Sequence, residues 1–174
     1  MEEEVMNDQE DIIITSSVET PTPHTTRSTI DIYEIQEMAS RIMCDLGAGY
    51  SEAIYQRALF NKIARIDISA VMEKTVPVLY ENELIGTCRA DIVTSNYVVE
   101  IKAVRNMSSS VGNQIRKYMK NLHENDGILR EGLVVNFNQE FERVDFLAFS
   151  SPNVNRLGWA RQGDYRRRRV TPCE

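Results

Sequence analysis

Asp91, Glu100 and Lys102 fall within twelve positions of one another in this chain of 174 residues, and they are the residues best placed to do chemistry. The segment around them reads Arg89-Ala90-Asp91-Ile92-Val93, then Thr94-Ser95-Asn96, then Tyr97-Val98-Val99-Glu100-Ile101-Lys102. Two β-branched runs broken at Ser95-Asn96 predict an antiparallel hairpin. With Ser95-Asn96, or Thr94 to Tyr97, as the loop, position 93 faces 98, 91 faces 100 and 89 faces 102. Asp91 then lies across from Glu100 with Cβ atoms roughly 4.5–5.5 Å apart, where like charges are destabilising. Alternation places Arg89, Asp91, Glu100 and Lys102 on one face, with Cys88, Ala90, Ile92, Tyr97, Val99, Ile101 and Ala103 on an apolar opposite face.

Two close carboxylates can share a proton, pair with bases or hold a divalent cation. Oxygen donors of this kind suit Mg²⁺ or Mn²⁺ rather than zinc. A cation removes the repulsion and gives Lys102 a task beside an anionic substrate and a polarised water. The spacing alone leaves a plainer alternative open: a solvated sheet edge with Arg89–Asp91 and Glu100–Lys102 surface pairs of little energetic weight.

The elements that must position these groups follow from periodicity. Asp31 with Glu34 three positions later predicts a helix start, after which Ile35, Met38, Ala39, Ile42 and Leu46 recur at helical spacing until Gly47. A second helix follows Gly49-Tyr50-Ser51, with Ile54, Ala58, Leu59 and Ile63 inward and Glu52 in its first turn. A carboxylate there is also what a helix N-terminus favours electrostatically. Val71 to Val104 reads as three antiparallel strands. Ser108-Ser109-Ser110 opens a third helix with Val111, Ile115, Tyr118 and Leu122 inward, ending near Gly127. Gly132 to Phe137 and Val144 to Phe149 are two further strands.

Charge divides the chain into three parts. Residues 1–29 carry seven acids and one base, with a Ser/Thr/Pro run and little apolar material, and are expected to be a disordered acidic tail. Residues 30–150 are expected to form one folded domain. Residues 151–174 form a basic extension, read as loosely held, with Arg166, Arg167, Arg168 and Arg169 as a nucleic-acid arm, a nuclear-import signal or a solubilising tail. The overall charge of −6 argues against general polyanion binding, so any nucleic-acid affinity must be local. No apolar run reaches the roughly 18–20 residues of a membrane span, and the first residues are acidic, so an intracellular protein of cytoplasm or nucleus is expected. Cys44, Cys88 and Cys173 show no CxxC or Cys/His spacing, so neither a disulfide framework nor a zinc site is expected; Cys44 and Cys88 read as small buried residues in a reducing compartment. His24 and His123 belong to no catalytic arrangement.

Several motifs, in order, resemble the GxxExxY branch of the PD-(D/E)XK nuclease superfamily. They are Gly49, Glu52, Tyr55, Ala58 and Leu59; Arg89-Ala90-Asp91; Val99-Glu100-Ile101-Lys102-Ala103; Gln114 and Tyr118; and Gly132-Leu133-Val134-Val135-Asn136-Phe137. The resemblance spans about residues 31–149. It departs at Asn61-Lys62, where Glu-Leu is usual, and at Asp67, where Gly is common.

The resemblance implies a restriction-endonuclease-like α/β fold, with a mixed sheet of about four to five strands flanked by helices. It implies Mg²⁺- or Mn²⁺-dependent hydrolysis of a phosphodiester, with DNA as the substrate class, by an endo- or exodeoxyribonuclease. Asp91 and Glu100 would bind the ion with the Ile101 carbonyl. Glu52 would hold a second ion or orient a water. Lys102 would position and polarise the attacking water, and Gln114 would hydrogen-bond near the scissile phosphate or Lys102. Arg89 is a candidate phosphate contact, with a buried pair to Asp91 as its alternative, while Tyr55 packs. The competing readings are a nuclease-fold protein that binds nucleic acid or a protein partner without cutting, and an interaction protein working through its two tails. The sequence leaves homo-oligomerisation open.

Overall fold

The first described residues already explain why order starts where it does. The Asp31 carboxylate accepts from Tyr33 N at 2.7 Å and Glu34 Oε2 accepts from Asp31 N at 2.9 Å, a reciprocal box that satisfies amides with no intrahelical partner. The computed structural model describes residues 29–151 and the strand Tyr165–Val170. The acidic tail and His24 lie outside the described residues.

The elements in chain order are α1 (Ile32–Leu46), α2 (Glu52–Ile63), β1 (Val71–Tyr80), β2 (Glu83–Val93), β3 (Tyr97–Lys102), α3 (Ser110–Asp126), β4 (Glu131–Asn138), β5 (Arg143–Phe149) and β6 (Tyr165–Val170). They make one six-stranded sheet in the order β1-β2-β3-β4-β5-β6, in which β3 and β4 run parallel and every other neighbouring pair runs antiparallel. The parallel pair needs a crossover, and α3 supplies it. This is the mixed α/β sheet flanked by helices that the resemblance implied, with β6 added beyond the four to five strands expected.

Both sheet faces are covered, which is why β3 and β4 are buried almost throughout. One layer is made by α1 and α2, whose Ile35, Ile42, Tyr55 and Leu59 pack with Ile92, Val99, Ile101 and Phe137. The other is made by α3, whose Ile115, Met119 and Leu122 pack with Val98, Val134 and Phe149. Gly132 lets α3 approach this closely: a Cβ there would stand 2.7 Å from Met119 Sδ and 3.1 Å from Ile115.

Four expectations change. Ile54 and Leu46 are exposed rather than inward, because α2 and α1 turn Tyr55, Gln56 and Met43 to the sheet instead. Cys44 is disulfide-bonded, against the reading of a reduced buried thiol, while Cys88 is free. An odd cysteine count forbids only a fully paired set. The Arg166 to Arg169 segment is not a loose extension: it is β6, paired with β5 from Val144↔Val170 to Phe149↔Tyr165. Among the described residues, no helix is long and apolar enough to cross a membrane.

Candidate active site

Asp91 stands where β2 and β3 part company. The two strands pair at Ile92↔Val99 and Val93↔Val98. One step further, Asp91 Oδ2 accepts the Ile101 N–H at 2.7 Å, so a carboxylate takes a proton that a β2 carbonyl would hold in a continued ladder. β2 also turns over at this point. Ala90 packs in the α3 layer and Ile92 in the α1/α2 layer, although a regular strand would put both on one face. Opposite the turnover, Glu73 of β1 has φ 56, a backbone conformation that L-residues other than Asn and Asp seldom adopt.

The expected single charged face of the hairpin is corrected accordingly. Arg89 is not beside Asp91: it pairs with Glu73, and its side chain is 70 % exposed. The apolar face expected to unite Cys88, Ala90 and Ile92 with Val99 is likewise split between the two layers.

The structure brings five of the predicted residues directly together at the end of β3. Lys102 Nζ donates to Glu100 Oε1 at 2.7 Å and to the Ile101 carbonyl at 2.9 Å, and it lies 3.5 Å from Glu52 Oε1 on α2. Gln114 of α3 approaches from the other layer. Its amide donates to Glu100 Oε1 at 2.8 Å and to the Tyr118 hydroxyl at 2.9 Å. Gln114 therefore shares Glu100 Oε1 with Lys102, beside the lysine where the resemblance implies a place for it. Asp91 joins through the Ile101 amide.

The electrostatics follow from this crowding. Glu100 is 2 % exposed, and burial, with the Asp91 charge adding to it, pushes its pKa from the usual 4.5 to about 7 against the pull of Lys102. Burial also raises Asp91, outweighing the Ile101 amide and Lys102. For Lys102 burial works the other way, but the hydrogen bond and charge of Glu100, with Glu52 and Asp91, hold the ammonium above its ordinary range. Glu100 Oε2 is buried and has no hydrogen-bond partner among the described residues. A buried carboxylate oxygen left unmatched is costly unless the group is protonated or faces a cation, so the donor set fits an oxygen-seeking divalent ion. Among the described residues, no group of three or more His, Cys, Asp and Glu side chains is already gathered as a ligand cluster.

Several residues that no sequence motif singles out hold the arrangement. Gln139 Nε2 donates to Tyr50 O at 2.7 Å and to Ala103 O at 3.4 Å, while its Oε1 accepts from Gly49 N at 3.2 Å. It thereby ties the start of α2, which carries Glu52, to the end of β3. Gln56 Nε2 donates to Glu73 at 2.7 Å and to Asp91 O at 3.3 Å. For Gln139 and Gln56 no periodicity signals a side chain-to-backbone tie across the fold. Asn136 does stand in a motif, but its task shows only in the fold. Fully buried, it accepts from Val104 N at 2.9 Å and donates to Val104 O at 2.8 Å, an amide pairing with main chain as another strand would.

Tyr55 packs, stacked on Phe137 at 4.4 Å with its hydroxyl donating to Gly47 O at 2.7 Å. The arginine run lies on a different strand from these residues. Three strand spacings, roughly 14 Å, separate β6 from β3 in the sheet.

Comparison with known proteins gives one finding. A family model described as the PD-(D/E)XK nuclease superfamily matches residues 30–146. No curated protein and no solved structure matches the chain.

Proposed function

Because this chain belongs to the PD-(D/E)XK nuclease superfamily, we propose that it is a Mg²⁺- or Mn²⁺-dependent nuclease that cuts DNA, of the GxxExxY branch, with its site at the end of β3. The observation that carries the proposal is Glu100: an acid buried beside Asp91 and Lys102, with one oxygen unmatched among the described residues. Asp91, Glu100 and the Ile101 carbonyl would hold the cation, with Glu52 from α2. When bound, that ion supplies Lewis-acid polarisation of the phosphate and neutralises charge that builds up on it.

The remaining work falls to the chain's own groups. Gln114 fixes the rotamer of Glu100, and the Ile101 amide fixes Asp91, so the two acids are aimed before substrate arrives. Lys102, half-buried and charged, holds an attacking water through an ammonium N–H and offsets negative charge at phosphorus in the transition state. Gln139 sets the distance of Glu52 from Lys102. Arg166 to Arg169 on β6 offer phosphate contacts away from the cutting site and would add affinity without aiming the reaction. Arg89, exposed and paired with Glu73, offers one more.

The test is cleavage of duplex, single-stranded and branched DNA, and of RNA, with Mg²⁺ or Mn²⁺. The wild type should cut DNA, and Lys102→Ala should bind it without cutting. Equal cleavage by both proteins refutes the mechanism. Binding without cutting by the wild type, in every metal tried, selects the non-cutting reading, which the net charge of −6 favours.

A further inference from the structure

An ammonium has three protons to donate, and Lys102 directs its own toward three oxygens: Glu100 Oε1 at 2.7 Å, Ile101 O at 2.9 Å and Glu52 Oε1 at 3.5 Å. They belong to three of the four groups that the proposed function assigns to a divalent cation, Asp91 being the fourth. We infer that Lys102 and the metal compete for this one set of oxygens, so that metal entry displaces the lysine and the displacement is what frees its ammonium to meet water and phosphate. The inference rests on the metal reading above and adds to it a regulation of the same site.

The geometry leaves little room for both cations. Glu100 Oε1 already accepts from Lys102 and from Gln114, so its two lone pairs are engaged. Ile101 O receives the same ammonium at hydrogen-bonding distance, whereas a Mg²⁺ ion draws its oxygens to roughly 2.0–2.1 Å. The other oxygen of the same carboxylate, Glu100 Oε2, is buried and has no partner among the described residues. It offers a first foothold for an arriving ion, on the same carboxylate that holds the lysine. A doubly charged ion on that carboxylate repels an ammonium a few ångströms away, and the low polarity around a residue 2 % exposed strengthens the repulsion. Lys102 can give way because its side chain keeps some access to solvent, at 17 % exposure, on a flexible four-carbon stem.

Calorimetric titration with Mn²⁺, without nucleic acid, tests this on the full chain and on Lys102→Met, which keeps the length and removes the charge. The variant should bind Mn²⁺ at least about tenfold more tightly, and its melting temperature should rise more on adding the ion. Equal or weaker binding by the variant, with clear binding by the wild type, overturns the competition and leaves the metal site standing. Binding by neither protein overturns the metal reading, and the inference with it. Should Lys102→Met not fold, wild-type protein labelled with ¹³C at lysine Cε answers the same question. The Lys102 resonance should move on Mg²⁺ titration, and a resonance that stays fixed at saturation overturns the inference.

Discussion

Replacing Glu100 with glutamine should remove a dependence of stability on pH, and the size of the effect can be worked from the site. The folded chain raises the Glu100 pKa from 4.5 to about 7, so between those values it keeps a proton that the unfolded chain releases. Its favourable contribution is complete below about pH 4.5 and is lost as pH climbs through about 7. That displacement corresponds to about 3 kcal/mol at 25 °C. The side-chain amide of the Glu100→Gln variant mimics the protonated acid, still able to accept from Gln114 and Lys102, and does not titrate. In urea unfolding followed by far-ultraviolet circular dichroism with EDTA, the wild type should therefore lose about 3 kcal/mol relative to Glu100→Gln between pH 4.5 and 8. Asp91 is raised in the same sense and titrates in both proteins, and its charge helps raise Glu100, so the difference between the two curves reports Glu100 together with that coupling. Saturating Mn²⁺ should cancel the wild-type loss, because a cation favours the ionised acid. Parallel curves for the two proteins from pH 5 to 8 would show that Glu100 titrates normally, and the case for a strained acid would fall.

Other perturbations separate scaffold from chemistry. Gln139→Ala cuts the ties from Gly49 and Tyr50 to Ala103; stability should fall by about 1 kcal/mol, while kcat for cleavage should fall about ten- to a hundredfold through misplacement of Glu52. Gly132→Ala should destabilise by about 1–3 kcal/mol in thermal melts, because its Cβ would meet Met119 Sδ at 2.7 Å, and adding Met119→Ala should restore part of the loss. Changing Arg166, Arg167, Arg168 and Arg169 together to Ser should make DNA binding less salt-dependent while leaving cleavage at low salt intact. Truncation after Ser151 should also lower the melting temperature, since it removes the strand paired with β5.

Much of the fold is legible from local rules. The capping box at Asp31 is written in two residues, Gly127 ends α3 at φ 73, and Val111, Ile115, Tyr118 and Leu122 mark the buried face of that helix by spacing alone. Asp91, Glu100 and Lys102 stand out because a charged face on a hydrophobic hairpin is unusual. What alternation could not reveal is that the hairpin opens at Asp91. Simple pairing carries Arg89 onto the charged face, and only the three-dimensional rivalry between a carboxylate and a carbonyl for the Ile101 N–H shows why Arg89 goes to Glu73 instead. The same holds for Gln139 and Asn136, whose partners lie 32 to 90 positions away in sequence. A run of four arginines reads as a solvated tail because its role as an edge strand depends on β5 being there to receive it.

The site is stapled by neutral amides. Asn136 and Gln139 grip main-chain groups, and neither bond set draws on the charges of Glu52, Asp91, Glu100 or Lys102. Shape and reactivity are therefore separable in this molecule. On the proposed function, a version with its acids neutralised should hold an intact polynucleotide at the same site, giving a snapshot of the strand poised for scission and a route to learning which bases it prefers.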